Sequence, residues 1–227
     1  MGQRGFDIVC FDCDSTLSRI EGIDELARRA GVEKEVTPLT AAAMSGALPL
    51  DAIYAQRLSA VRPDRASIEW LGRCYVEEMV PGARETISAL ARAGKSVHIV
   101  SGGLRPAIEP LARVLEIPAS HIHAVDVLFE EDGAFQDFDR QSPLVHPDGK
   151  AIVCRSLAAS RLSIALVGDG ATDLNARESG VFVIGFGGVI RREALVKGAD
   201  VFIAGPDLTA VLGPLLGAKD GQPPEAP

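Results

Sequence analysis

Short apolar runs that end in Gly, Asp or Ser recur along the chain and predict buried strands. They occupy residues 8–11, 97–100, 164–167 and 182–184. Continuous apolar runs of this length are typical of parallel strands covered on both faces. Helical patterns lie between them, at 83–93, 104–115 and 150–159. The alternation predicts an α/β fold with an open, doubly wound parallel sheet, whose ligands bind at the carboxyl ends of the strands.

The stretch 18–80 departs from this alternation. It contains no convincing strand but several helical segments, at 23–30, 39–44, 50–61 and 65–79. We predict a helical cap subdomain inserted after the first strand, with the core formed by 1–17 and 81–216. Pro81-Gly82 is a turn-forming dipeptide that marks the return to the core. Within 125–138, Asp132-Gly133 separates two apolar-rich runs and predicts a small β-hairpin.

Composition and charge narrow the class of the protein. Of its 227 residues 47% are hydrophobic and 24% are charged, which is ordinary for a folded domain. The formal net charge of −8 and the lack of a basic tract oppose binding to nucleic acid or anionic lipid. No leader pattern and no apolar span of about 18 residues is present. We therefore expect a cytoplasmic protein, with a disordered tail at the Gly- and Pro-rich end, 217–227.

The cysteines offer a formal match to a redox or zinc motif, because Cys10 and Cys13 form a C-x-x-C pattern. Positions three apart on a strand face opposite sides, and no second pair completes a zinc set. We therefore expect buried thiols that pack as small hydrophobic groups.

Two carboxylates follow the first predicted strand. Asp12 and Asp14 would point to the same side if the strand geometry persists beyond the apolar run. Like charges that close repel unless a cation lies between them, so the pair favours a divalent metal with oxygen ligands, of which Mg²⁺ is the usual one. Aspartate also collects in turns, and the pair alone is weak evidence.

Three further groups lie after later strands or at a helix start: Ser101-Gly102-Gly103, Lys150, and the loop 168–173 with Asp169 and Asp173. The hydroxyl and the glycine amides can bind phosphoryl oxygens, and the ammonium can neutralise their charge. Each group also has an ordinary reading, as a strand-to-helix loop, a solvated lysine, and a turn whose aspartate caps a helix. Their joint occurrence in this order favours phosphoryl transfer.

This ordered set resembles the haloacid dehalogenase superfamily. Further segments are similar to the phosphoserine phosphatases: Glu21-Gly22-Ile23-Asp24-Glu25-Leu26, Ala43-Met44-Ser45-Gly46-Ala47, Arg57-Leu58 and Ile184-Gly185-Phe186-Gly187-Gly188. The similarity extends over about 6–216. It implies a Rossmann-like core under a cap that selects the substrate. It also implies a Mg²⁺-dependent hydrolase that converts O-phosphoserine to serine and phosphate, the last step of serine biosynthesis, through an aspartyl-phosphate.

The resemblance also implies a role for each site residue. Asp12 would be the nucleophile, and Asp14 would protonate the leaving serine oxygen and then deprotonate the attacking water. The metal would be held by the Asp12 carboxylate, the Asp14 carbonyl and the Asp169 carboxylate, with Asp173 close behind. The phosphoryl oxygens would be bound by Ser101, the Gly102 amide and Lys150.

For the rest of the substrate, the resemblance implies that Glu21 binds the ammonium and Arg57 the carboxylate, with Met44 as an apolar wall and Thr172 in contact with substrate. Leu50 stands where relatives often carry an aromatic residue. The sequence leaves open another small phosphomonoester as substrate, a phosphotransferase, and a non-catalytic binding module. It also leaves the oligomeric state open, a homodimer being one of the states it allows.

Overall fold

The computed structural model describes residues 5–158 and 162–217. Its strands are β1 (Ile8–Phe11), β2 (Ser96–Leu104), β3 (Ile122–Val125), β4 (Val127–Phe129), β5 (Phe135–Phe138), β6 (Ile164–Gly168), β7 (Phe182–Phe186) and β8 (Val201–Ile203). Six of these strands form a parallel sheet in the order β3-β2-β1-β6-β7-β8, and β4 pairs with β5 as an antiparallel hairpin. The predicted doubly wound α/β fold and the hairpin are confirmed.

The register of the sheet brings the predicted site residues together. Phe11 at the end of β1 pairs with Ile99 on β2 and with Val167 on β6. The residues that follow these three strands therefore lie at one edge of the sheet. The strand order reverses between β1 and β6, and such a switch point opens a crevice at the carboxyl ends of the strands.

Helices cover both faces of the sheet and fill the long segment after β1. They are α1 (Gly22–Ala30), α2 (Glu33–Met44), α3 (Leu50–Val61), α4 (Arg65–Glu77), α5 (Ala83–Arg92), α6 (Arg105–Val114), α7 (Gly149–Leu157), α8 (Ala171–Asn175), α9 (Glu193–Gly198) and α10 (Leu212–Leu216). None of the helices in the described residues is both long enough and apolar enough to cross a bilayer.

Helix caps and close packing on the core stabilise the helical segment after β1. Gly31 ends α1 with a φ of 76°, and its N–H donates to the carbonyls of the last turn. Asp64 caps α4 by accepting a hydrogen bond from Ser67 N at 2.8 Å. Gly72 lets α4 approach α6, because a Cβ there would lie 2.8 Å from Pro110. The division into a core and a cap at 18 and 80 stays a prediction.

Two element boundaries differ from the predictions by more than two residues, and two strands were not predicted. α2 begins at Glu33 and contains Pro38, although we predicted a start after that proline. Burial of Val36 and the residues one turn on outweighs the single backbone bond that Pro38 removes. β2 continues to Leu104, where it pairs with β3 after a register shift, so the strand does not end at Val100 as predicted. The edge strands β3 and β8 are short and were not predicted.

The sequence prediction for 217–227 concerns residues that, apart from Gly217 at the end of α10, lie outside the described residues.

Candidate active site

A pocket lies between the carboxyl edge of the sheet and the helices α1–α4. Its walls contain both carboxylates that follow β1 and every residue predicted to contact substrate: Asp12, Asp14, Glu21, Met44, Arg57, Ser101, Gly102, Lys150 and Thr172. Other residues of the wall had no predicted contact with substrate, among them Leu50, Tyr54 and Tyr75. Asp169 and Asp173 lie behind this wall and reach the site through their contacts with Asp12 and Lys150.

Lys150 is a buried cation between two carboxylates. Its Nζ lies 2.6 Å from Asp12 Oδ2 and 2.7 Å from Asp173 Oδ1. Burial disfavours the charged ammonium, but the carboxylates of Asp12 and Asp173 outweigh it and raise the pKa of Lys150. Gly149 allows α7 to start this close, because a Cβ there would lie 2.0 Å from the Pro143 carbonyl oxygen. The site therefore keeps a fixed positive charge beside Asp12.

Three buried carboxylates form the acidic side of the pocket. One oxygen of each of Asp12, Asp169 and Asp173 lies within 4.8 Å of the others. Burial, Asp12 and Asp173 raise the pKa of Asp169 to about 8. Asp169 Oδ1 is buried without a hydrogen-bond partner among the described residues. Crowded, under-satisfied carboxylate oxygens are what a hard divalent cation requires, so the residues present fit the metal that the sequence predicted.

Asp14 leaves the strand and turns toward the helical segment. β1 ends at Phe11 and Ser15 has a φ of 53°, so the strand geometry assumed for the two carboxylates does not persist. Asp14 Oδ1 accepts hydrogen bonds from Gly22 N and from Tyr75 Oη, both at 2.7 Å. Burial, followed by the Asp12 charge, raises the pKa of Asp14 to about 6. Both carboxylates nevertheless line the same pocket.

Ser101-Gly102-Gly103 lies inside β2 rather than in a loop after it. Ser101 is buried, and its Oγ accepts a hydrogen bond from Gly103 N at 3.0 Å. The register between β2 and β3 shifts across this segment, and all three of its residues line the pocket. Tyr54 Oη donates to the Gly102 carbonyl at 2.8 Å and ties helix α3 to the segment. The hydroxyl and glycine backbone that we predicted for phosphoryl oxygens thus line the pocket.

A buried arginine and a partly buried glutamate face the pocket from the helical side. Arg57 is 5% exposed; its Nη1 donates to Thr40 Oγ1 at 3.2 Å, and its Nε has no hydrogen-bond partner among the described residues. Glu21 accepts from Ser15 Oγ at 2.9 Å. Burial lowers the pKa of Arg57, whereas burial and the Asp14 charge raise the pKa of Glu21. Within the described part of the chain Arg57 and Glu21 form no ion pair with each other.

Three residues with contacts in the site had no signal that we recognised in the sequence. Tyr75 binds Asp14, Tyr54 binds Gly102, and Arg192 Nε donates to Asp169 Oδ2 at 3.2 Å. Each comes from a segment distant in sequence from its partner and carries no motif. Only the pairing of a polar group with an otherwise apolar helix face could have pointed to the two tyrosines.

A family model of the haloacid dehalogenase-like hydrolases matches residues 9–178. Phosphoserine phosphatases of Bos taurus and Homo sapiens are each 37% identical to this chain over 211 residues, which cover 92% of this chain and 93% of theirs. A chloroplastic phosphoserine phosphatase of Arabidopsis thaliana is 39% identical over 205 residues, covering 88% of this chain and 69% of its own.

Solved structures of the same kind are similar in fold. A substrate-bound phosphoserine phosphatase complex matches with a TM-score of 0.79 at 28% identity, over 92% of this chain and 98% of its own. A phospho-aspartyl intermediate analogue of phosphoserine phosphatase matches with a TM-score of 0.78 at 28% identity, with the same coverage.

Proposed function

The chain belongs to the phosphoserine phosphatases within the haloacid dehalogenase-like hydrolases, and we propose that it hydrolyses O-phosphoserine to serine and phosphate. The observation that carries the proposal is one pocket with two kinds of chemistry. Asp12 and Lys150 face it from the core, while the buried Arg57 and the partly buried Glu21 supply opposite charges from the helical side. A phosphomonoester that also bears a carboxylate and an ammonium is complementary to that arrangement.

The first half of the reaction phosphorylates Asp12. A carboxylate oxygen of Asp12 attacks phosphorus in line with the serine oxygen, and the phosphorus–oxygen bond to serine breaks. Protonated Asp14 gives its proton to the departing oxygen, because a serine alkoxide is too basic to leave alone. Lys150, the Ser101 hydroxyl and the Gly102 N–H hold the phosphoryl oxygens, whose charge must be stabilised during the displacement.

The second half restores the enzyme. Asp14, now a carboxylate, accepts a proton from a water molecule as the water oxygen attacks phosphorus. The bond between phosphorus and the Asp12 oxygen breaks, and phosphate leaves. The proton that Asp14 accepts from water replaces the proton that it gave to the serine oxygen, so the cycle needs no external acid.

We propose Mg²⁺ as the metal, held by the carboxylates of Asp12 and Asp169 and by the Asp14 carbonyl, with Asp173 behind them. When bound, it would neutralise charge on the phosphoryl oxygens and screen the nucleophile from them. Two observations support a metal at this position: the three buried carboxylates of Asp12, Asp169 and Asp173, and Asp169 Oδ1, which has no hydrogen-bond partner among the residues that the structure describes. The choice of Mg²⁺ rests on the preference of such oxygen donors for hard cations.

Selectivity for phosphoserine would come from the helical segment, which we propose to act as the cap. Arg57 can grip the carboxylate through its guanidinium, and Glu21 can pair with the ammonium. Met44 and Leu50 supply apolar contact beside them, and Thr172 lines the opposite side. This assignment corresponds to the last step of serine biosynthesis.

The location and the oligomeric state of the protein stay predictions. One relative is chloroplastic, so a cytoplasmic location does not follow from the similarity. The homodimer is likewise a prediction.

A substrate panel with a metal titration tests the proposal. Purified protein with Mg²⁺ should release phosphate from O-phosphoserine with a higher kcat/KM than from p-nitrophenyl phosphate, β-glycerophosphate or phosphothreonine. Added labelled serine or homoserine should yield no new phosphoester in the presence of the substrate. Faster turnover of another phosphomonoester, or efficient transfer to an alcohol, would overturn the substrate or the acceptor.

A further inference from the structure

Asp14, the proposed proton donor, has its two carboxylate oxygens in different surroundings. Oδ1 accepts two hydrogen bonds, from Tyr75 Oη and Gly22 N, both at 2.7 Å. Oδ2 has no hydrogen-bond partner among the described residues and lies toward Gly103, 3.2 Å from the position that a Cβ would occupy there. Ser101 Oγ is equally close to that position. Oδ1 is thus held by groups of the helical segment. Oδ2 has no partner in the described part of the chain and lies beside Ser101 and Gly103, where the phosphoryl group is proposed to bind.

The phenol of Tyr75 is built into this place. Tyr75 is 1% exposed on α4, and its hydroxyl donates to Asp14 Oδ1. Gly22 makes room for it, because a Cβ at Gly22 would lie 2.0 Å from the Tyr75 hydroxyl oxygen. Any larger residue at the start of α1 would push the phenol off Asp14. A buried hydroxyl also needs a partner, and among the described residues Asp14 provides it.

We propose that Tyr75 is a positioning residue for proton transfer: it fixes Oδ1 of Asp14 so that Oδ2 is the oxygen that exchanges the proton with the leaving group and with water. This inference rests on the proposed function, since it assigns a partner to its general acid. A carboxyl free to rotate presents the correct oxygen only part of the time, whereas one held by two donors presents it continuously.

The two hydrogen-bond donors to Asp14 both come from the helical segment. Tyr75 belongs to α4 and Gly22 begins α1, so both lie in the proposed cap, while Asp14 follows the core strand β1. The acid is therefore oriented only while this helical segment is seated on the core. Proton transfer and closure of the pocket are coupled through two hydrogen bonds.

The test compares Tyr75→Phe with Tyr54→Phe. Each variant deletes one hydroxyl from a buried tyrosine of the helical segment, but Tyr54 donates to the Gly102 carbonyl instead of to the acid. kcat/KM is measured on a series of phosphomonoesters with leaving groups of rising basicity, from p-nitrophenyl phosphate through phenyl phosphate to O-phosphoserine and ethyl phosphate. Circular dichroism and the thermal midpoint are recorded for both variants.

Only leaving groups that need a proton should respond to Tyr75. We expect Tyr75→Phe to lower kcat/KM about tenfold or more for the alkyl phosphates and less than about twofold for p-nitrophenyl phosphate, since general-acid catalysis contributes about 10²–10⁴ and a nitrophenolate leaves without it. Tyr54→Phe should change all substrates by one common factor. A Tyr75→Phe effect that is equal across the series, or absent on alkyl phosphates, overturns the proposal.

A second variant and a substrate control cover two cases that would otherwise leave the comparison of Tyr75→Phe with Tyr54→Phe undecided. If Tyr75→Phe does not fold, Gly22→Ala displaces the phenol and should give the same dependence on leaving-group basicity; a uniform loss would count against the proposal. If the wild-type protein rejects phosphoserine but hydrolyses ethyl and aryl phosphates, the substrate assignment fails, and the Tyr75 comparison is still decided on those compounds.

Discussion

Lys150 Nζ lies 2.6 Å from Asp12 Oδ2, and each of these side chains is only 6% exposed. A buried ion pair is a poor way to stabilise a fold, because removing both charges from water costs about as much as their attraction returns. We therefore expect a catalytic role for the pair, in which Lys150 places a cation beside the proposed nucleophile, where phosphoryl oxygens would bind.

Replacement of Asp12, the proposed nucleophile, tests the covalent step. Asp12→Asn preserves the size of the side chain and keeps an acceptor for Cys13 N, which now binds Asp12 Oδ1 at 2.7 Å. We expect kcat to fall by at least about a thousandfold, in line with the removal of other catalytic nucleophiles, with an unchanged circular dichroism spectrum. Quenched turnover with ³²P-labelled substrate should label wild-type protein in an acyl-phosphate bond and leave the variant unlabelled. Equal labelling of both would contradict the assignment.

Loss of the buried cation should cost stability as well as activity. Lys150→Met leaves Asp12 and Asp173 facing each other without compensation, which we expect to lower the free energy of unfolding by about 3–5 kcal/mol. Arg19→Met removes a half-exposed cation that pairs with Glu78, and its cost should stay below about 1 kcal/mol. Urea unfolding of both variants at neutral pH gives the comparison. Equal costs would mean that Lys150 is not held as an ion pair in solution.

Arg57 should act on substrate recognition and not on the chemical step. Arg57→Ala removes the guanidinium whose buried Nε has no partner in the described part of the chain. We expect KM for phosphoserine to rise about 10- to 100-fold, the equivalent of one or two charge-assisted hydrogen bonds. kcat/KM for p-nitrophenyl phosphate, which has no carboxylate, should change less than about threefold. Arg62→Ala, at the end of the same helix, is the matched control. Equal losses on both substrates would rule out a carboxylate clamp.

Metal binding at the three buried carboxylates, Asp12, Asp169 and Asp173, should stabilise the protein. In wild-type protein the thermal midpoint should rise with added Mg²⁺, because a ligand at about 100 times its Kd adds about 2.7 kcal/mol. Asp169→Asn removes one donor and one of the crowded charges. For this variant we expect a smaller Mg²⁺-dependent rise of the thermal midpoint, a lower Mg²⁺ affinity by calorimetry, and a partial loss of activity. In the wild type, EDTA should abolish activity. A variant that binds Mg²⁺ as tightly as the wild type would exclude Asp169 as a ligand.

A histidine cluster away from the pocket predicts a pH dependence of stability. His98 lies on β2, stacks on His121 with ring centroids 4.1 Å apart, and contacts His123 Nε2 through Nδ1 at 3.1 Å. Burial, followed by the charges of His121 and His123, lowers the pKa of His98 to about 4. Because the unfolded chain titrates near pH 6.5, it binds more protons than the folded one between these values.

Protonation of His98 should favour the unfolded state, so its contribution to the free energy of unfolding should fall as the pH is lowered from about 6.5 toward 4. The buried carboxylates with raised pKa, such as Asp14 and Asp169, act in the opposite direction in this window. His98→Gln removes the titrating ring and leaves these carboxylates, so the difference in the free energy of unfolding between wild type and variant should shrink as the pH falls. Urea unfolding of wild type and variant at pH 7, 6 and 5 measures the difference. Parallel curves would show that His98 does not titrate with the lowered pKa.

The apolar runs by themselves determined most of the sheet. A run such as 8–11 can be buried on both faces only as an inner strand, and the reactive groups that follow these runs must then meet at one edge. For this reason the places of Asp12 and Asp169 were predictable before any contact was known. The resemblance then predicted Glu21 and Arg57 in the pocket, which composition alone would have left as solvated charges.

Tertiary structure alone decided which groups complete these residues. Tyr75 reaches Asp14 across 61 positions of the chain, and nothing local to either residue encodes that meeting, since it depends on how α4 packs against α6 and on the missing side chain at Gly22. The extension of β2 beyond Val100 is of the same kind, because a strand continues where a neighbour offers hydrogen bonds. Local pattern determines what each segment can become, and the packing of distant segments decides which polar groups share a buried space.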